Sequence, residues 1–413
     1  MSNTQKKNVP ELRFPGFEGE WEEKKLGDLT DRVIRKNKNL ESKKPLTISG
    51  QLGLIDQTEY FSKSVSSKNL ENYTLIKNGE FAYNKSYSNG YPLGAIKRLT
   101  RYDSGVLSSL YICFSIKSEM SKDFMEAYFD STHWYREVSG IAVEGARNHG
   151  LLNVSVNDFF TILIKYPSLE EQQKIGKFFS KLDRQIELEE QKLELLQQQK
   201  KCYMQKIFSQ ELRFKEENGE DYPDWKEKKL GDITEQSMYG IGASATRFDS
   251  KNIYIRITDI DEKSRKLNYQ NLTTPDELNN KYKLKRNDIL FARTGASTGK
   301  SYIHKEEKDI YNYYFAGFLI KFEIDEQNNP LFIYQFTLTS KFNKWVKVMS
   351  VRSGQPGINS EEYAKLPLVL PNKLEQKKIA EFLDRFDQQI ELEKQKIEIL
   401  QQQKKGLLQS MFI

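Results

Sequence analysis

Residues 166–208 read YPSLEEQQKIGKFFSKLDRQIELEEQKLELLQQQKKCYMQKIF, and residues 370–412 read LPNKLEQKKIAEFLDRFDQQIELEKQKIEILQQQKKGLLQSMF. These are two copies of one segment. Gln185 matches Gln389 and Gln197 matches Gln401, each at a displacement of 204 residues. A second duplicated signal has the same displacement: Trp21 heads WEEKKLGDL and Trp225 heads WKEKKLGDI. The chain is therefore a tandem duplication, in the order block, long helix, block, long helix.

With Ile186 as position a, the a and d positions of the first copy carry Ile175, Phe179, Leu182, Ile186, Glu189, Leu193, Leu196, Lys200, Tyr203 and Ile207. The second copy carries Ile379, Leu383, Phe386, Ile390, Glu393, Ile397, Leu400, Lys404, Leu407 and Met411. Alternating spacings of three and four mark a coiled-coil seam. A stripe of this kind also suits a helix packed only on its own domain, but the length favours pairing. Ile186, Leu193, Leu196 and Tyr203 are expected to pair with Ile390, Ile397, Leu400 and Leu407. Glu189 and Glu393, with Lys200 and Lys404, interrupt both seams at equivalent places. In an antiparallel pair the Glu of one helix can lie near the Lys of the other, and buried polar positions of this kind fix register. Some 40 residues at 1.5 Å each give a rod of about 60 Å, with the two blocks expected at its opposite ends.

The chain has 413 residues, of which 38% are hydrophobic and 12% aromatic, and this suits two domains rather than one core. No apolar run approaches the ~18–20 residues needed to span a bilayer. MSNTQKKNVPEL at the N-terminus has no apolar signal core, so a soluble cytoplasmic protein is expected. Two cysteines, Cys113 and Cys202, give neither a disulfide framework nor a cysteine zinc site. His133, His149 and His304 have no ligand spacing, and no metal site is expected. Net charge is +6, which permits a nucleic-acid partner without demanding one.

The segment ELRFPGFEGEW at the start of the chain has an echo in ELRFKEENGEDYPDW at 211–225, leading into each block. WEEKKLGDL reads as a short strand or helix. In the first block, 30–165, short β-like pieces recur at 45–49, 80–84, 94–99, 105–116 and 159–166, with one helix at 121–131. In the second, 226–369, strands are expected at 252–260, 282–294, 300–304, 313–324 and 365–371, with one helix over 329–348. No βαβ rhythm is present, so the sheets should be antiparallel or irregular. The fold class is α+β: two globular mixed α/β domains in tandem, each followed by a long helix. The helices pair as an antiparallel coiled coil with an internal pseudo-twofold.

Three stretches invite a chemical reading. RTGASTGKS at 293–301 resembles a phosphate-binding loop, but only three residues separate Gly295 from Gly299, and Thr294 stands where a glycine is required. What remains is a Gly-rich turn flanked by Arg293 and Lys300. It suits a DNA phosphate or base edge, and equally an ordinary hairpin turn. SGQPGINSEEYAKLPLVLP at 353–371 and EGARNHGLLNVSVNDFFTILIKYP at 144–167 place polar loops before each long helix. Arg352 and Gln355 in one, and Arg147, Asn148 and His149 in the other, are donor and acceptor types suited to base edges, or to a plain polar surface. Pro223-Asp224 followed by Glu227 and Lys229 is spaced too tightly for a nuclease site. No methyltransferase Asn-Pro-Pro-Tyr or hydrolase G-x-S-x-G element occurs, so no catalytic residue is assigned.

Taken together, the P-S-L-E-E-Q and P-N-K-L-E-Q helix openings, YIRITDI at 254–260, NDILFARTGASTGK at 287–300 and SGQPGI at 353–358 resemble the specificity subunits of type I restriction-modification enzymes. The resemblance covers the whole chain. The first block departs from it, with YNKSYSNGYPLGAIK at 83–97 and TISGQLGLID at 47–56 in the corresponding places. The resemblance implies a DNA reader without catalysis of its own, part of a site-specific DNA methyltransferase and endonuclease complex. Residues 1–165 and 211–369 would each be a target-recognition domain for half of a bipartite, asymmetric double-stranded DNA site. Residues 166–210 and 370–413 would be the conserved helices that set the spacer and dock two modification subunits, with two restriction subunits joining. S-adenosylmethionine, ATP and Mg2+ would be used by those partners, with no cofactor bound by this chain. The DNA-contact residues implied are Asn84, Lys85, Ser86, Tyr87, Lys97, Arg147, Asn148 and His149 in the first block. In the second they are Tyr239, Arg256, Arg293, Thr294, Ser297, Lys300, Arg352 and Gln355. The competing readings are a coiled-coil assembly adaptor without DNA specificity, and a P-loop ATPase or nuclease.

Overall fold

The computed structural model describes residues 8–50, 52–61, 69–87, 90–142, 152–305 and 310–413. Two compact units are present: Met1–Gln191 with Lys394–Ile413, and Lys192–Glu393. The boundaries cut both long helices near their middles. Each unit thus holds one block, half of the helix that follows it, and half of the other helix.

The first unit is built on a four-stranded antiparallel sheet in the order Thr30–Arg32, Tyr111–Ile116, Phe81–Asn84, Ala95–Arg98. Successive strand residues face opposite sides, and both sides are buried here. Phe81, Tyr83, Ile112 and Phe114 face a core shared with the helix Lys122–Asp130, whereas Ala82 and Cys113 face a second core with Leu46, Leu54 and Ile76. Ser121 caps the helix by accepting from Phe124 N–H at 3.3 Å. A small antiparallel pair, Glu22–Lys25 with Leu163–Tyr166, delivers the chain to the first long helix, Leu169–Phe208.

The second unit repeats this frame. Its sheet runs Thr234–Tyr239, Leu319–Ile324, Ile289–Ala292, Ser301–Ile303, again antiparallel. Lys226–Lys229 pairs with Pro367–Leu370 and leads to the second long helix, Lys373–Met411. The single helix expected over 329–348 is instead two, Pro330–Thr337 and Ser340–Met349. The break arises because Thr339 leaves the helical region and accepts from Phe342 N–H at 3.2 Å, starting a new helix. The strand expected over 282–294 is confined to Ile289–Ala292, and those expected at 105–116 and 313–324 are each divided by a turn. One pairing, Asn252–Ile255 with Asn312–Phe315, is parallel.

The openings of the long helices are locks. Glu171 takes the Arg13 guanidinium through two bonds of 2.7 Å, and Glu375 takes Arg213 at 2.8 and 3.3 Å. Both glutamates are fully buried. Gln172 donates to Pro167 O and accepts from Ser121 N–H, while Gln376 donates to Pro371 O and accepts from Asn329 N–H. Ser121 and Asn329 are the caps of the equivalent domain helices. Each Glu-Gln pair, Glu171-Gln172 and Glu375-Gln376, therefore ties its long helix to the entry segment and to the block's own helix.

The long helices run antiparallel within both units. In the first, Asp183 meets Lys404 at 2.6 Å, Glu189 meets Lys396, and Phe179 meets Phe412 at 5.8 Å between ring centres. In the second, Lys192 meets Glu393 at 2.5 Å, Lys200 meets Asp387 at 2.6 Å, and Tyr203 meets Phe382 at 5.1 Å. The seam glutamates and lysines do not pair with each other as expected. The register sets Lys404 against Asp183, six residues and about 9 Å from Glu189, so all four find partners off the seam. The buried stripe also drifts. Ile186 and Ile397 are buried, and Leu193, Leu196, Ile390, Leu400 and Leu407 are half-buried, but Tyr203 is 37% exposed while Met204 and Leu408 are buried. A 3.6-residue helix drifts against a 3.5-residue seam, and the ends turn towards the domain cores. Phe412 lies among Trp21, Phe124 and Tyr128 in the first unit, and its equivalent Phe208 against Phe332 and Phe336 in the second.

Candidate nucleic-acid interface

In the second unit the strand Ile289–Ala292 ends at Arg293, and the turn Thr294–Lys300 returns the chain to Ser301–Ile303. The turn needs glycine at Gly299. Its φ is +87°, and a Cβ there would lie 2.5 Å from Val346 of the helix Ser340–Met349. Tyr363, fully buried, pins the base: its hydroxyl donates to Ala292 O at 2.7 Å and accepts from Gly299 N–H at 3.1 Å. The polar loop 350–358 is zipped onto this turn. Gly295 N–H donates to Pro356 O at 2.9 Å, Ile358 N–H to Arg293 O at 2.9 Å, and Gly357 N–H to Ser350 O at 3.1 Å. The two loops singled out separately in the sequence thus form one surface.

Arg293 stands at its centre. Its guanidinium lies 5.0 Å from the Tyr239 ring centre and 6.0 Å from Phe318. Its Nε is buried with no hydrogen-bond partner, and the group makes no ion pair among the described residues. A stacked but unneutralised guanidinium is held in position while its donors stay open. The Tyr239 hydroxyl accepts from Ser360 N–H at 3.0 Å, fixing that ring from the other side. Thr294 and Ser297 are half-buried on the turn, and Gln355 is exposed on the facing loop. Arg352 is exposed there too, but Glu362 holds its guanidinium at 2.5 and 2.6 Å.

Two expected contact residues lie elsewhere. Lys300 is buried: its ammonium meets Glu262 at 2.5 Å and Ile260 O at 3.3 Å, which ties the turn to the segment after Asn252–Ile255. That ion pair holds the Glu262 carboxyl below its ordinary range. Lys300 thus braces the surface rather than presenting its charge on it. Arg256 is closed on itself by two bonds to Asp259, at 2.8 and 2.9 Å.

The first unit builds the same junction from different residues. Lys85 follows the strand Phe81–Asn84; its carbonyl accepts from Leu152 N–H at 2.9 Å and its ammonium reaches Val154 O at 3.3 Å. Ser86 N–H donates to the Asn84 side chain at 3.1 Å, and Tyr87 is 61% exposed. Gly94, at φ +80°, closes the turn where a Cβ would meet Asn84 O at 2.2 Å. Lys97, expected at the DNA face, points inward to Asp130 at 2.6 Å with its side chain 16% exposed. Arg147, Asn148 and His149 lie outside the described residues.

Sequence reasoning missed Phe318, 60% exposed beneath Arg293, and the pinning role of Tyr363. The Ala-Gly-Phe turn dividing two apolar strands was the available signal for Phe318. No residue pattern marks Tyr363.

The family model described as the type I restriction modification DNA specificity domain matches the chain twice, over residues 18–198 and 222–402. The chain belongs to that family. The two matched segments are displaced by 204 residues, as are the helices and the tryptophans. The type I restriction enzyme MjaVIII specificity subunit of Methanocaldococcus jannaschii is 26% identical over 427 residues, spanning 97% of this chain and 93% of that one. The HindI specificity subunit of Haemophilus influenzae is 28% identical over 201 residues, 46% of this chain and 41% of its own. The crystal structure of a type I restriction-modification S subunit from M. genitalium covers 98% of this chain and 99% of its own. It is 15% identical with a TM-score of 0.61, a likeness of fold. As a type I specificity subunit the chain recognises DNA targets and is not itself the catalyst; the enzymatic activities reside in the modification and restriction subunits with which it works. Among the described residues no helix is long and apolar enough to cross a membrane.

Proposed function

We propose that each block of this specificity subunit reads one half of a bipartite, asymmetric DNA site. The junction between its sheet and its pre-helix loop is the reading surface. One observation carries the reading: Arg293 is stacked on Tyr239, supported by two interlocked loops, and without an anionic partner among the described residues. A guanidinium held this way suits the O6 and N7 atoms of a guanine in the major groove, the commonest specific contact. Tyr239, Thr294, Ser297, Gln355 and, after release from Glu362, Arg352 complete the second surface. Asn84, Lys85, Ser86 and Tyr87, with Arg147, Asn148 and His149, form the first.

The paired long helices set the spacer and dock the modification subunits. Supporting this, both helices carry apolar residues on their outer faces at equivalent positions: Leu188 and Leu195 are 47% and 54% exposed, Leu392 and Ile399 are 65% and 54% exposed. Two modification subunits, one for each duplicated face, and two restriction subunits complete the assembly in the cytoplasm. S-adenosylmethionine, ATP and Mg2+ are used by those partners. The target adenine is flipped into a modification subunit.

The test is DNA binding by the chain reconstituted with its modification subunits, for wild type and Arg293→Ala. Loss of a bidentate base contact costs about 1–3 kcal/mol of discrimination, roughly 5–150-fold. That loss should appear at one position in one half-site. Unchanged discrimination at every position removes Arg293 from the reading surface.

A further inference from the structure

We propose that the helix Ser340–Met349 is a phosphate clamp, gripping the DNA backbone beside the second half-site through Lys341, Lys344 and Lys347. The proposal rests on the DNA-reading role of the adjoining loops and assigns a new contact surface next to them.

The helix reads SKFNKWVKVM and contains no acidic residue. Phe342 is fully buried and Trp345 stacks on it at 6.1 Å, which fixes the inner face. The lysines at i, i+3 and i+6 then share the outer face, and all three are exposed. Among the described residues none of the three has a hydrogen bond or ion pair. Most charged side chains near this surface are neutralised at short range: Arg352 by Glu362, Lys300 by Glu262, Arg256 by Asp259. Like Arg293, this triad stands unpaired among the described residues, and it places three cations on one helix face.

Its position is set by the reading surface itself. Val346 is the residue against which Gly299 of the Arg293 turn packs. The helix C-terminus runs directly into the 350–358 loop, and Arg352 caps it by donating to Met349 O at 3.1 Å. The helix that carries the lysines therefore adjoins the turn and the loop that carry Arg293 and Gln355. Lys341 to Lys347 spans about 9 Å along the helix, two to three nucleotide steps at 3.4 Å per strand. Backbone contacts of this kind fix register and orientation and carry no sequence information. Among the described residues of the first block the corresponding helix, Tyr135–Ile141, reads YREVSGI and has Arg136 as its one cation. The second half-site should accordingly carry more of the salt-dependent affinity.

Val348 and Val351, 72% and 71% exposed beside the lysines, give the competing occupant, an acidic protein surface with an apolar centre. The experiment separates the two. The complex with modification subunits is assembled with wild-type chain, with Lys341→Gln/Lys344→Gln/Lys347→Gln, and with the three Lys→Arg changes. DNA affinity is followed from 50 to 200 mM salt on target and non-target duplexes. The clamp predicts that the Gln variant weakens both duplexes alike. It also predicts that the slope of log K against log salt falls by about 0.9 per contact, up to about 2.7 for three, and that the Arg variant restores the slope. An unchanged slope overturns it, as does a slope change on target DNA alone. Weaker recovery of modification subunits with unchanged DNA affinity reassigns the face to a protein partner and overturns it too. If wild type fails to discriminate the duplexes, the reading surface is refuted, and the slope still judges the clamp separately.

Discussion

Lys404→Met should destabilise the first unit far more than its counterpart Lys200→Met destabilises the second. Lys404 reaches Asp130 at 2.8 Å and Asp183 at 2.6 Å with its side chain 16% exposed. Burial alone would raise Asp130, but the Lys97 and Lys404 ammoniums outweigh it and hold the carboxyl at about 2, against an ordinary 3.8. That depression corresponds to on the order of 2 kcal/mol of stabilisation. Because the folded value is depressed, the stabilisation is present above pH 3.8 and is lost as pH falls through about 2. Removing the ammonium leaves Asp130 with Lys97 as its remaining cation and facing an unpaired, 46% exposed Asp183, a loss of about 2–4 kcal/mol. For a domain of about 200 residues this is a fall in Tm of roughly 4–16 °C. Lys200 serves a single carboxylate, Asp387, which is 35% exposed, so its loss should be about 1–2 kcal/mol. Asp183 is already raised, burial being the chief cause. In Lys404→Met it should rise further, so acidification from pH 7 towards 5 should recover part of the lost stability in this variant alone. Thermal unfolding of the purified chain, with one transition expected per unit, is the assay. A Lys404→Met shift below 1 kcal/mol at pH 7, or equal shifts for both variants, would refute the reasoning.

Gly299→Ala, forcing a Cβ against Val346 at positive φ, should cost about 1–3 kcal/mol and weaken target discrimination before overall folding is lost; retention of both would deny that the turn needs glycine there. Gln376→Leu removes partners from Pro371 O and the Asn329 cap, and should cost about 1–3 kcal/mol in the second unit's transition with no change in the first; an effect on both transitions would contradict the local lock. Leu188→Asp with Leu392→Asp should abolish co-purification of modification subunits while leaving Tm within about 1 °C, since both side chains are exposed; intact assembly would move the docking face elsewhere.

The duplication, the long helices and their antiparallel sense were legible because a repeat and a heptad are periodic signals that survive without knowledge of context. The duplicated Leu-Glu-Glu-Gln and Leu-Glu-Gln openings were legible as motifs but not as mechanisms. Nothing local shows that Glu171 will meet Arg13, which is far away along the chain, or that Gln376 will cap a helix in its own block. The break at Thr339 was available as a cap signal, but it was hidden inside a long, largely apolar run. Lys97 and Lys300 show the harder limit: whether a lysine faces solvent or a buried carboxylate depends on the partner, here Asp130 and Glu262, brought in by the tertiary fold. The same holds for Arg293, whose stacking on Tyr239 and Phe318 joins three separate strand ends. The site was legible as residue types and became a surface only when the 293–300 and 350–358 loops were seen zipped together.

The most direct test of the two-reader account is adenine methylation mapped across the genome of the strain carrying this gene, intact, deleted, and with residues 211–369 replaced by the corresponding block of another family member. The account predicts that one bipartite methylated motif disappears on deletion, and that the replacement changes one half of that motif while preserving the other. An unchanged methylome on deletion, or a change in both halves on replacement, would contradict it.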